Sequence, residues 1–249
     1  MILRTKEEIE IMRQANRIVA CILDELAALI EPGITTRELD RFMEERIRAL
    51  GGQPAFLGYR GYPASSCISI NEQVVHGIPG SRRIREGDLV SVDLGVLYKG
   101  YYGDAARTYG VGKISQKAQK LIRVTEEALY KGIETARAGN RLFDISRAIQ
   151  SWVESNGFSV VRDFVGHGIG KNLHEDPQVP NYVPRSPYNP LLEAGMVLAL
   201  EPMVNAGDHR VKVLPDGWTA VTVDGSLSAH FEHTIAITED GPEILTVCN

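Results

Sequence analysis

Residues 31–52, EPGITTRELDRFMEERIRALGG, and residues 137–158, RAGNRLFDISRAIQSWVESNGF, follow one pattern without a gap. In each, an opening glycine (Gly33, Gly139) precedes a closing one (Gly51, Gly157) by 18 residues. An internal repeat constrains a fold strongly, because both copies must build the same supersecondary unit. A long helix is expected before each copy. Ile9, Met12, Ile18, Ile22 and Leu26 fall at helical spacing over residues 5–30, and Ala118, Leu121, Ile122, Thr125 and Leu129 do so over 115–136. After each copy comes an HGI tripeptide, at His76 and His167, and then a strand closing on an acid. EGDLVSVD ends at Asp93 and EAGMVLALE at Glu201, each acid six residues after its glycine (Gly87, Gly195). A further acid follows each time, Asp104 and Glu232. Helix, helix, strand, strand, built twice, predicts an α+β fold with helices segregated from antiparallel strands. The two halves, approximately residues 5–110 and 115–240, are expected to pack about a pseudo-twofold axis as one domain over residues 1–249, bringing acids of both halves together.

The 249 residues, 43% hydrophobic and 24% charged, are ample for a large core. With a net charge of -5 and no basic run longer than Arg82-Arg83, the chain offers no nucleic-acid footprint. No 18-residue apolar run occurs, and the start, MILRTKEEIEIMRQ, is charged where a signal peptide would be apolar, which argues against membrane insertion. Cys21, Cys67 and Cys248 are odd in number and fit no metal-binding spacing. They argue against a disulfide scaffold and for a reducing, cytoplasmic compartment.

The acids carry the chemical argument. With a two-residue turn at Lys99-Gly100, Gly95 lies opposite Asp104, and Asp93 lies diagonal to it on the same face. Diagonal neighbours stand roughly 7–8 Å apart, within reach of bridged ions, and Gly95 has no side chain to fill the space between. Pro202 ends strand pairing after Glu201, leaving that carboxylate at a sheet margin. Glu232 shares a strand face with His230 and Thr234, while Gly166, Gly168 and Gly170 around His167 let the backbone come close to a bound group. A lone Asp in a hairpin, a lone Glu before Pro or a His in a glycine-rich loop each has an ordinary structural explanation. Four acids on apolar strands must be neutralised together, however, and Arg107 is the main basic residue nearby. Oxygen ligands with one imidazole suit Mn, Fe, Co or Zn. Five ligands exceed one tetrahedral ion, whereas two ions roughly 3.5–4 Å apart share bridging carboxylates. GHGIGKN has neither the glycine spacing nor the Ser or Thr of a phosphate loop, and no HExxH or G-x-S-x-G occurs.

INEQVVHGIP, VSVDLGV leading to GDAART, VGHGIG..LHEDPQVPNY, LALEPM and DGWTAVTVDGSLSAHFEHTIAIT together resemble type I methionine aminopeptidases of the short bacterial kind, over nearly the whole chain. The resemblance implies the α+β pita-bread (creatinase/aminopeptidase) fold, with a central antiparallel sheet and flanking helices. It also implies one catalytic domain that removes N-terminal methionine from nascent proteins and peptides, a metal-activated hydroxide attacking the first peptide bond. Implied ligands of the two divalent ions are Asp93, Asp104, His167, Glu201 and Glu232, with Asp104 and Glu232 bridging. Glu201 would also move the proton to the leaving amine, His174 would donate to the oxyanion and His76 would hold the scissile amide. Tyr59, Tyr62, Cys67 and Trp218 match methionine-pocket positions, aromatic edges and a thiol suiting a thioether. Leu173 stands where relatives often carry phenylalanine, and Arg60 separates the two tyrosines. The implied partner is a chain beginning with Met, the implied state a monomer, and transient ribosome association is left open. The rivals are a proline-specific peptidase or creatinase of the same fold, which usually adds an N-terminal domain, and a non-catalytic relative, which would be expected to have lost ligands.

Overall fold

The computed structural model describes residues 2–248. Four long helices stand where the apolar spacing predicts them: α1 (Lys6–Leu26), α2 (Thr36–Ala49), α3 (Gln116–Thr135) and α4 (Leu142–Ser155). Capping fixes their starts. Thr5 with Glu8 and Thr35 with Glu38 form reciprocal capping boxes, and Ser115 accepts from the N–H of Ala118. α1 ends at Leu26, short of the predicted residue 30, where the bonding tightens to three-residue turns, Ala28 N–H donating to the Glu25 carbonyl and Leu29 N–H to that of Leu26. The matched glycines adopt matched conformations: Gly33 and Gly139 at 103° and 89°, Gly51 and Gly157 at 81° and 83°, Gly87 and Gly195 at 89° and 96°.

One antiparallel sheet of nine strands runs through both halves. Its path is Gln53–Pro54, Leu89–Tyr98, Tyr101–Gly110, Glu232–Thr238, Val197–Leu200, Gly166–Gly168, Glu175–Val179, with Cys67–Ile70 and Gly241–Ile244 pairing off this path. The strand expected to close at Asp93 runs on to Tyr98, because its second part pairs in register with Tyr101 onward. Lys99 (φ 48°) and Gly100 (φ 82°) form the two-residue turn, and their positive φ angles match the twist of a tight hairpin. The register follows: Gly95 faces Asp104, and Asp93 faces Ala106.

The halves meet where Glu232 pairs with Ala106 and His233 with Ala105. Asp93, Ala106 and Glu232 therefore lie in one row across three strands. Glu201 stands one step beyond the Leu200–His233 pair, beside that row, and His167 faces Ala199, which pairs with Thr234 two residues along from Glu232. Small residues thus alternate with the ligand-type side chains. The space beside Gly95 is filled, not vacant: a Cβ there would meet the Phe56 ring at 2.5 Å, so the glycine admits the phenylalanine. Gly103 has a similar role toward α1, whose backbone at Asn16 passes 2.7 Å from where its Cβ would stand.

The core gathers mainly in two clusters, α1 and α2 against the first hairpin and α3 and α4 against the strands of the second half. A correction concerns the cysteines. Cys21 on α1 and Cys248 near the C-terminus are joined as a disulfide, with Cα atoms 4.9 Å apart, and only Cys67 is a free thiol among the described residues. Their separation of 227 residues hides this contact from any spacing argument, and the link removes the support that the cysteines lent to a reducing compartment. Among the described residues, no helix is long and apolar enough to cross a membrane.

Candidate metal centre and substrate pocket

Asp93, Asp104, His167, Glu201 and Glu232 all line one cavity of about 160 Å³, together with His76, His174, Tyr59, Tyr62, Cys67 and Trp218. The sheet supplies Asp93, Asp104, His167, Glu232 and Cys67, Glu201 follows directly on the strand Val197–Leu200, and Tyr59, Tyr62, His76, His174 and Trp218 come from the connections. Asp104 is held by its backbone: its N–H donates to the side chain of Asn16 at 3.1 Å, and its carbonyl accepts from Thr234 Oγ1 at 2.8 Å. Asn16 is fully buried on α1 and donates in turn to the Met12 carbonyl at 2.9 Å.

His167 Nε2 lies 3.5 Å from Glu201 Oε1 and 3.9 Å from Asp104 Oδ2. Its Nδ1 lies 2.9 Å from the Gly168 carbonyl, which can only accept, so Nδ1 carries the proton and Nε2 presents a lone pair to the acids. Two lone-pair-bearing groups facing each other need something positive between them. No lysine or arginine supplies it: among the described residues the only basic side chains paired with these acids are histidines. Arg107 turns away to Asp24, at 2.7 Å. Asp93 Oδ1, Asp104 Oδ1 and Glu232 Oε1 are buried without a hydrogen-bond partner.

The titration behaviour has the same cause. Burial pushes Asp93 up to about 7, partly offset by its neighbour Asp104. Asp104, Glu201 and Glu232 are also pushed well up, first by burial and then by their neighbours' charges. Burial depresses His167 to about 3, with His174 adding to the effect. A divalent cation meets both demands, since it ionises the acids and uses neutral imidazole. Donor atoms of Asp104, His167 and Glu232 lie within 4.8 Å of one another, as do those of Glu201, His230 and Glu232. The residues fit a metal centre.

Beside it, Tyr62 and Trp218 meet edge to face at 5.0 Å, and the Tyr62 hydroxyl donates to the carbonyls of Ser66 and Gly77, both at 3.0 Å. Cys67 pairs with Asp93 in the sheet, and burial keeps its thiol protonated. Phe56 and Leu173 complete the apolar wall. His76 contacts Phe164 at 5.2 Å and Trp218 at 6.5 Å, and burial lowers it to about 4. His174 stacks on Tyr59, whose hydroxyl lies 2.8 Å from its Nδ1. Arg60, His167 and His174 also border a wider cavity of about 570 Å³ leading away from the metal centre. Sequence reasoning did not single out Phe56, Asn16 or His230 as site residues. Of these only His230 carried a signal, its place two residues before Glu232.

The model of metallopeptidase family M24 matches residues 10–239. The methionine aminopeptidase of Clostridium perfringens is 59% identical over 247 residues, covering 99% of both chains. The crystal structure of methionine aminopeptidase from Thermotoga maritima superposes with a TM-score of 0.95 at 52% identity, covering 99% of each chain. A prolidase from Pyrococcus furiosus shares the fold at TM-score 0.82 and 27% identity, but the match covers only 66% of that longer chain.

Proposed function

The chain belongs to metallopeptidase family M24, among its methionine aminopeptidases with the pita-bread fold, and on that premise we propose how its residues remove an N-terminal methionine. It is a metal-dependent aminopeptidase. Asp93, Asp104, His167, Glu201 and Glu232 would hold two divalent ions. Bound there, the ions supply Lewis acidity and a water acidic enough to react near neutral pH.

The protein's own groups do the rest. The side of the cavity walled by Tyr59, Tyr62, Cys67 and Trp218 takes the first side chain, which sets the scissile carbonyl beside the acids. The remainder of the peptide leaves through the wider cavity past Arg60 and His174. Glu201 accepts a proton from the attacking water at one carboxylate oxygen and delivers it to the departing amine. With the Tyr59 hydroxyl donating to Nδ1 of His174, the proton of that imidazole sits on Nε2, free to donate to the oxyanion. His76, kept neutral by burial, holds the scissile amide.

The observation that carries this reading is the convergence, in one cavity with an aromatic wall, of four acids that have no lysine or arginine partner among the described residues. We assign the whole chain to one catalytic domain of two related halves, approximately residues 5–110 and 115–240. It acts as a cytoplasmic monomer on nascent chains and associates only transiently with ribosomes; ultracentrifugation and cosedimentation test those points. The activity is tested by release of free methionine from a Met-Ala-Ser peptide with added Mn or Co, against an X-Pro peptide as control. Release from the first alone is expected. Cleavage of the X-Pro peptide, or of neither, overturns the assignment.

A further inference from the structure

His230, a buried imidazole beside Glu201, has no role in the chemistry above. Its exposure is 1% and its Nε2 is buried without a hydrogen-bond partner. That nitrogen lies 3.8 Å from Oε2 of Glu201, while Oε1 of the same carboxylate faces His167 Nε2 at 3.5 Å. Two imidazoles therefore flank one carboxylate, one at each oxygen. They are not equivalent. The Gly168 carbonyl commits His167 to a lone pair at Nε2, as a metal ligand requires. The hydrogen bonds of His230 run through its backbone instead: its N–H donates to Thr108 Oγ1 at 2.9 Å, and its carbonyl accepts from the same hydroxyl at 2.8 Å. Its ring is free to take either tautomer. Facing a carboxylate oxygen, a lone pair at Nε2 is repelled and an N–H is attracted, so the N–H form is favoured. At 3.8 Å the two atoms stand just outside hydrogen-bond range, and the soft terminal torsion of a glutamate is the freedom by which Glu201 would close the gap.

We infer that His230 is a positioning residue whose Nε2–H holds Oε2 of Glu201, leaving Oε1 as the oxygen presented beside His167. The inference rests on the assignment of Glu201 as a metal ligand. It makes His230 an outer partner of a ligand, of the kind whose loss costs roughly 10–100-fold in metal affinity. Its position also allows a different role, because its Nε2 lies within 4.8 Å of donor atoms of Glu201 and Glu232, the spacing of ligands sharing one ion.

The test compares the full chain as wild type, His230→Gln and His230→Leu. Metal-free protein is titrated with Mn by calorimetry. His230→Leu is expected to bind roughly 10–100-fold more weakly, and His230→Gln, whose amide keeps a donor, to stay near wild type. Equal affinity in all three overturns the inference while leaving the metal centre intact. Failure of the wild type to bind Mn overturns the assignment of Glu201 instead. Should the leucine variant not fold, histidine-labelled wild type loaded with Zn decides the matter by nitrogen-15 NMR. A proton on Nε2 of His230 is expected, and a metal-bound or unprotonated Nε2 overturns the proposal.

Discussion

A carboxylate taken out of water keeps its charge only against a compensating one, and Asp104 and Glu232, 4% and 3% exposed, have no lysine or arginine partner among the described residues. Individual residues of the site divide by how they meet this demand. Those that face the cavity are the proposed ligands and substrate contacts, and others fix them from behind. His174 belongs to the first group without being a proposed ligand, so His174→Ala is expected to lower kcat by roughly 100–1,000-fold, the usual cost of one oxyanion donor. Its Mn content, read by elemental analysis, should be unchanged, and lost metal would refute the assigned role. Asn16 belongs to the second. Asn16→Leu leaves the buried N–H of Asp104 without its acceptor, at a cost of about 1–3 kcal/mol in urea unfolding. The acids were legible in the sequence because a charge inside an apolar strand pattern is conspicuous. Asn16 and Phe56 were not: each reaches the site from a separate element, and nothing in its own neighbourhood marks it.

Secondary-structure elements were read with uneven success, for physical reasons. The hairpin register followed from its turn, because a two-residue loop with both φ angles positive admits one pairing, and that pairing put Asp93 and Asp104 on one face. The ends of elements were harder. The Leu89–Tyr98 strand outruns the acid expected to close it, since only the partner strand determines where pairing stops. Long-range fits such as the Cys21–Cys248 link or the seating of α1 on the hairpin depend on the assembled fold. The seating can be tested at Gly103. Gly103→Ala places a methyl group against the backbone of Ala15 and Asn16 and is expected to destabilise by about 1–3 kcal/mol. Gly80→Ala meets nothing within 4 Å and should stay within about 0.5 kcal/mol of wild type in the same urea titration.

At the scale of the whole molecule, the fold joins two halves across a seam where their acids face one another, and the metal-free protein should register the strain of that charge. Folded, Asp93 is pushed to about 7, and Asp104, Glu201 and Glu232 are also raised by burial. Unfolded, such carboxyls titrate near pH ~4, so above that pH the native state holds more protons and loses stability as pH rises. The buried histidines act oppositely. His167 and His230 are depressed to about 3, and their effect favours the folded state as pH rises, saturating above about 6.5. Above that point the carboxyls dominate, and the thermal midpoint of chelator-treated protein is expected to fall between pH about 6.5 and 8.5. Saturating Mn should abolish the fall, because the ligands bind it deprotonated. A metal-free midpoint that rises over the same interval would count against the account. The most direct measurement is anomalous diffraction from crystals soaked in Mn. Two peaks are predicted, roughly 3.5–4 Å apart, one beside Asp93 and one beside His167 and Glu201, with Asp104 and Glu232 between them. Fully ordered side chains at these positions with no anomalous density among them would contradict it.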